Sequence, residues 1–336
     1  MKTRIRKSRS SSRFGLAALV AAALTLLAAT GAQASTITVG SVLPPGATPK
    51  KFEAVETLFN TALPEKGANL VSPANGAIVR WRIQGASGGP FYLRVLRPNG
   101  SGANMAAGTS GAVTPSGPGL QTFTANIPIH AGDLIGVDST NPTDEIGVAE
   151  VPGASYGFIF PPPFDGATVA PSGGVSGQEI ALNAEVQPAP AITSITPTSG
   201  SIAGGTAVTI TGTNLAGASA VKFGTVPAAS FTVNSETEIT ATAPASLTPS
   251  AVDLTVTTLA GTSPTVSGDR FTYTACIVPK LENKKLKQAK RALWSAGCMP
   301  GTIKGKKTKA AKVTKQNPKP GKTLAPGAKV NVKLAG

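Results

Sequence analysis

Two hydrophobic periods organise the chain. From residue 35 to about residue 275 the apolar positions recur every second residue in short runs, the period of strands with one buried face. Ala77 to Gln84 sets Val79, Trp81 and Ile83 on one face and Arg80, Arg82 and Gln84 on the other, and Phe91, Leu93 and Val95 repeat the alternation. Leu120–Ile127, Leu134–Asp138, Tyr156–Phe160 and Gln178–Glu185 are further strand candidates. The turn clusters Gly88-Gly89-Pro90, Pro98-Asn99-Gly100 and Pro115-Ser116-Gly117-Pro118 separate them, as glycine and proline do where the chain must reverse. Residues 35–188 are thus expected to form an antiparallel sandwich or jelly roll.

The helical period appears near the other end. From Lys284 to Ala296, Leu286, Ala289, Ala292, Leu293 and Ala296 share one face while Lys284, Lys287 and Arg291 lie opposite. That spacing predicts an amphipathic helix closed by Gly297. Beyond it, Pro318-Lys319-Pro320-Gly321 and Pro326-Gly327 read as turns. Val330, Val332 and Leu334 then alternate with Lys329, Asn331 and Lys333. One helix laid on a small sheet accounts for residues 276–336. The fold class is mainly β and multidomain.

The first 34 residues follow neither period. Lys2, Arg4, Arg6, Lys7, Arg9 and Arg13 precede an apolar run from Phe14 to Ala29, and Ala32-Gln33-Ala34 precedes Ser35. A basic start, an apolar middle and a small-x-small end predict a secretory signal peptide cleaved between Ala34 and Ser35. The apolar run falls short of the roughly 20 residues that span a bilayer; an uncleaved anchor is the alternative. No second long apolar segment follows, so stable membrane insertion after cleavage is not expected.

Charge sharpens the division. The chain's 336 residues carry a formal +15. Residues 1–34 hold six Lys/Arg and no acid, residues 35–275 nine against fifteen Asp/Glu, and residues 276–336 sixteen against Glu282 alone. A mildly acidic body thus ends in a strongly basic tail, which points to an anionic partner. A solvated lysine face that serves solubility is the plain alternative.

Two stretches carry family resemblances. Ile192-Thr193-Ser194-Ile195-Thr196-Pro197-Thr198-Ser199-Gly200, Gly204-Gly205-Thr206-Ala207-Val208-Thr209-Ile210-Thr211-Gly212-Thr213-Asn214-Leu215, Val221-Lys222-Phe223-Gly224, Glu238–Pro244 and Phe271-Thr272-Tyr273-Thr274 resemble an IPT/TIG domain. The likeness covers residues 189–275 and implies an immunoglobulin-like sandwich used as an extracellular spacer or adhesion module. Val208 and Ile210 are expected to point inward, and Gly212 to let the chain swing to the next strand. Transcription-factor relatives bind DNA, but Lys222 and Arg270 are the only basic residues of this segment, too few to track phosphates.

Residues 276–336 resemble a PASTA domain through Val278-Pro279-x-Leu281, Leu286, Ala289, Leu293, Ala296-Gly297-Cys298, Gln316-x-Pro318-x-Pro320-Gly321, Leu324, Gly327, Val330 and Val332. The resemblance implies binding of peptidoglycan fragments or β-lactams. Against the usual setting of that family, a single unit without an attached kinase or transpeptidase is expected. Residues 35–188 resemble uncharacterised sandwich domains of secreted bacterial proteins, a likeness that implies no function.

The only two cysteines, Cys276 and Cys298, both fall in the basic tail. In an exported chain an even pair reads as a disulfide, with two free structural thiols as the alternative. The candidate ligand surface consists of Lys284, Lys287, Lys290 and Arg291 on the helix, Trp294 on its flank, and Lys304, Lys306, Lys307 and Lys309 in the following loop. An indole beside cations suits a sugar ring bearing carboxylates or phosphates; a cover for the edge of a small core is the plainer reading of Trp294.

Catalytic chemistry is thin. His130 is the sole histidine, so any Ser/His/Asp triad must use it, and it sits in a turn without a nucleophile elbow. Metal sites of the Cys/His kind lack ligands. Asp133, Asp138, Asp144 and Glu145 cluster in sequence, and paired carboxylates for glycoside hydrolysis or a calcium loop remain open beside the reading of turn-holding acids. The expectation is a secreted, cell-wall-associated, non-enzymatic protein with no cofactor and no metal. It binds peptidoglycan or another anionic envelope polymer, and not nucleic acid. The alternatives are a carbohydrate-active or carbohydrate-binding first sandwich, or a structural adhesin or matrix subunit.

Overall fold

The computed structural model describes residues 35–306, 308 and 310–335. The expected signal segment, Ala34 of the cleavage site included, lies outside them, as do Lys307 and Lys309. Strands dominate, and Leu286–Ser295 is the single α-helix among the described residues. None of these elements is a helix long and apolar enough to cross a membrane.

The first sandwich packs two sheets. One runs Ile37–Gly40, Leu182–Pro188, Gly76–Ile83, Gln121–Ile129; the other contains Thr168–Val169, Asn104–Thr109, Tyr92–Pro98, Leu134–Asp138, Thr57–Ala62, Glu145–Ile159 and Gly173–Ile180, with Thr48–Lys51 also paired to Glu145–Ile159. Trp81, Ile78, Ile83, Phe91, Leu93, Val95 and Ile129 fill the space between. Two expectations are corrected here. The ladder slips by one residue between Ile78 and Arg80 on one neighbour and between Glu185 and Val186 on the other. Val79 is therefore a bulge residue, and Ile78, not Val79, joins Trp81 and Ile83 in the core, as expected of an extra residue that offsets the period of two. Likewise Gln178–Glu185 is not one strand. It breaks at Ala181, and its two halves pair in different sheets.

The second sandwich sets Ala191–Thr196, Ala207–Thr213, Glu238–Thr242 and Ser230–Val233 against a sheet containing Ser199–Ser201, Arg270–Thr274, Ala251–Thr258, Ala220–Phe223, Val226–Pro227 and Gly261–Thr262. Val208 and Ile210 point into the core as expected, beside Phe223, Phe271 and Tyr273. The Phe223 and Phe271 rings meet edge to face, 5.3 Å apart, the arrangement their quadrupoles favour. Gly212 has a different reason from the one expected. It lies inside Ala207–Thr213, and a Cβ there would stand 2.0 Å from the Ala191 carbonyl oxygen. Close approach of the paired strand, rather than a swing of the chain, requires glycine.

In the third unit the helix Leu286–Ser295 lies on the sheet Met299–Lys304, Lys329–Ala335, Lys312–Asn317, with the small pair Cys276–Ile277 and Thr323–Leu324 beside it. The helix begins after Lys284, two residues later than its periodicity indicated. Ala289 and Leu293 pack with Val278, Leu281, Val313, Val330, Val332 and Leu334. At its end the Gly297 N–H donates to the Trp294 carbonyl (3.1 Å) and the Cys298 N–H to the Leu293 carbonyl (2.9 Å), with Gly297 at φ +70°. This pairing is a Schellman close, and the positive φ suits glycine. It turns Cys298 back onto the first strand, where it is bonded to Cys276.

Candidate functional site

The acids that kept an enzymatic reading open each hold a structural partner. Asp133 accepts from Arg97 Nε (2.8 Å) and from the His130 backbone N–H (2.8 Å), so His130 is an exposed residue of a turn closed by that carboxylate. Asp138 accepts from Thr57 Oγ1 (2.6 Å) and from Arg94. Asp144 takes the backbone N–H groups of Gly89, Thr140 and Asn141. Glu145 accepts from Ser87 Oγ at 2.8 Å. Asp138 and Asp144 are buried among these donors, and among the described residues no group of three or more His, Cys, Asp or Glu is placed to hold a metal.

One acid escaped the sequence reading. Glu179 is 0% exposed, and its Oε1 accepts from Ser41 Oγ at 2.6 Å. Burial first, and the facing Glu65 carboxyl with it, push its pKa up to about 7 against the opposing pull of the Ser41 hydrogen bond. Between the ordinary value of 4.5 and about 7, the folded chain therefore keeps a proton that the unfolded chain has released. Stability falls as pH rises through that window and levels off above it. Glu179→Gln keeps a donor toward Glu65 at every pH. The variant is expected to flatten this part of the pH profile in urea melts between pH 5 and 8. An unchanged slope would show that Glu179 is not the titrating group.

The third unit concentrates cations. Lys284, Lys287, Arg291, Lys304 and Lys306 are exposed and Lys290 is half-buried. Among the described residues the ion pairs lie in the first sandwich, between Arg80 or Arg82 and Glu185, Arg94 and Asp138 or Asp165, and Arg97 and Asp133. None involves a described lysine of residues 276–335. Lys287, Lys290 and Arg291 share the helix with Trp294, which is 58% exposed. More than half of the indole faces solvent. Lys284 stands just before the helix rather than on it.

The expected surface is nonetheless split. The helix covers one face of the three-stranded sheet through Ala289 and Leu293. Lys304 belongs to the other face, where it stands opposite Lys333 in the parallel ladder, while Lys315 stands opposite Lys333 on its other side. Three lysines thus run side by side across the sheet. Asn331 and Asn317 form the next rung, and the Asn331 side chain accepts from the Thr302 N–H at 2.7 Å. Together they floor an open trough of 460 Å³. The opposite, inward side is locked by Gln316, whose Oε1 accepts from the Leu281 N–H (2.8 Å) and whose Nε2 donates to the Pro279 carbonyl (3.0 Å).

Comparison with known families assigns the second and third units: residues 190–273 match the IPT/TIG domain and residues 277–336 the PASTA domain. The chain carries an IPT/TIG domain followed by a PASTA domain. No curated protein is significantly similar to it. Among solved structures, the full extracellular region of plexin A4, domains 1 to 8, aligns with 68% of this chain and 18% of its own at 17% identity, with a TM-score of 0.25. That likeness is too distant to bear on fold or function. Together the two domains and the disulfide fit an extracellular or envelope protein.

Lys315 and Lys333 of the PASTA sheet were not singled out by sequence. Lys333 was visible as the polar half of an alternating strand, and that was the available signal. Its neighbours were hidden, because both edge strands are irregular. The ladder skips Thr314 between Val313 and Lys315, and it slips again between Pro300 and Ile303.

Proposed function

We propose that this is an exported, non-enzymatic envelope protein held to peptidoglycan or an associated anionic wall polymer by its PASTA domain, with the TIG sandwich as spacer and the first sandwich carried outward. The observation behind this reading is electrostatic. The acidic body neutralises several of its own cations in ion pairs, while the described lysines of the PASTA domain are left to face solvent unpaired. A compact domain with sixteen cations and one acid carries a self-repulsion that an anionic polymer would relieve. The structural duties of Asp133, Asp138, Asp144 and Glu145 support the non-enzymatic part of the reading.

Purified sacculi provide the test. The chain from Ser35 onward is expected to sediment with them at low salt and to be released as salt approaches 1 M, where the Debye length shrinks to about 3 Å. A chain ending at residue 275 is expected to stay in the supernatant. Equal sedimentation of both chains would overturn the reading.

A further inference from the structure

Lys304, Lys333 and Lys315 stand in one register across three neighbouring strands. Like charges directly opposite one another destabilise a sheet, so a triple row is a poor way to obtain solubility. Two irregularities create it. Were the antiparallel ladder regular, Thr314 would face Lys333 and Lys315 would turn toward the core. The extra residue at Thr314 instead sets Lys315 against Lys333. On the parallel side, the slip between Pro300 and Ile303 keeps Ile303 opposite Val332 and brings Lys304 to Lys333. Bulges are a recurrent means of re-aiming a side chain, and here both edge strands aim a lysine at the same rung.

From this we infer that the helix-free face of the PASTA sheet is a binding site for a polyol-phosphate chain, an envelope polymer linked by phosphodiesters. The inference rests on the wall-binding reading above and adds the site and the chemistry. Neighbouring strands lie ~4.8 Å apart, so the three ammonium groups cover a row of ~10 Å with flexible stems. Three backbone bonds span at most ~3.6 Å, so a six-bond polyol-phosphate repeat spans ~7 Å and presents successive charges within reach of successive lysines. The row consists of lysines and no arginine, so it offers a series of point charges, which lysine also presents to phosphate, rather than bidentate forks. The domain's only aromatic residue, Trp294, is on the helix, so the sheet face has no ring on which to stack a sugar or a base. Asn331 and Asn317 add neutral donors and acceptors to the next rung.

The test uses the chain from Ser35 onward and three soluble probes: poly(glycerol phosphate), polyglutamate of matched charge, and single-stranded DNA. Wild-type protein is expected to prefer poly(glycerol phosphate). Replacing Lys304, Lys315 and Lys333 together by Gln is expected to weaken that binding roughly a hundredfold at 50 mM salt and to lower the slope of log K against log salt by about 2. The matched replacement of Lys284, Lys287 and Arg291 by Gln changes it little. The sheet variant should melt no lower than wild type, since it loses only mutual repulsion. Equal affinity for polyglutamate, DNA bound as tightly, or a helix variant as damaging as the sheet variant would each overturn the inference. Sacculi separate it from the broader reading. Undiminished binding to walls stripped of phosphate polymers sinks the phosphodiester site alone, whereas no binding to untreated walls sinks both.

Discussion

Replacing Cys276 and Cys298 by Ala is expected to destabilise the PASTA domain by about 3 kcal/mol, the loop-entropy value for a bridge of this span. The two cysteines are 22 residues apart, and the bridge ties the edge pair Cys276–Ile277 to the turn that follows the helix. Both sulfurs are buried in the same core as Ala289, Leu293 and Val330. A domain this small has little apolar interior to spare. For a domain of some 60 residues the loss corresponds to a fall in melting temperature of roughly 12–24 °C. Hydrogen exchange resolves it locally. Protection in Leu286–Ser295 and Lys329–Ala335 should drop while Gly76–Ile83 keeps its own. Unchanged protection in the helix would mean that the bridge contributes nothing to the fold.

Arg94→Ala is expected to cost the first sandwich about 3–5 kcal/mol, the penalty for stripping one partner from a buried ion pair. Arg94 is buried in Tyr92–Pro98. It binds Asp138 through Nε at 3.1 Å and through Nη2, and Asp165 through Nη1 at 2.6 Å. Burial already holds the Asp138 carboxyl above its ordinary value despite the opposing pull of Arg94 and Thr57. Without the guanidinium the carboxyl rises further. In the variant Asp138 is protonated when folded at pH values where the unfolded chain is ionised, so the defect should shrink on acidification. Adding Asp138→Leu to an Arg94→Met change should recover most of the loss, because no buried charge is then left unpaired. Trp81 fluorescence reports the transition, since Trp81 is buried in this sandwich and the other tryptophan, Trp294, is exposed. A loss below 1 kcal/mol for Arg94→Ala would show that water reaches Asp138 freely.

Element types and inward-facing residues were legible wherever the hydrophobic period ran without interruption. Leu134–Asp138 is a strand with the expected bounds, Val208 and Ile210 face inward, and the helix exposes Lys287 and Arg291. What escaped is register. Alternation through Ile78 places Val79 on the core face, but Val79 is an extra residue against Leu182–Pro188, and that bulge gives its place to Ile78. The run from Gln178 to Glu185 contains nothing that marks Ala181 as the point where the chain changes sheets. Thr48–Lys51 and Thr57–Ala62 were missed because Pro49 and the polar residues around them weaken the period. The candidate site suffered in the same way. Its lysines were counted, but which of them share a rung depends on pairings between segments some fifteen to thirty residues apart, and local sequence carries no record of those.

The slip at Thr314 has a genetic corollary. Swapping one side chain for another on these edge strands leaves the lysine row where it is, and deleting Thr314 would only straighten the ladder with Lys315 still opposite Lys333, whereas inserting a single codon between Lys312 and Lys315 shifts the register by one and sends that lysine inward. This face is encoded by how many residues precede each cation, so drift in residue identity is tolerated and an added residue is not.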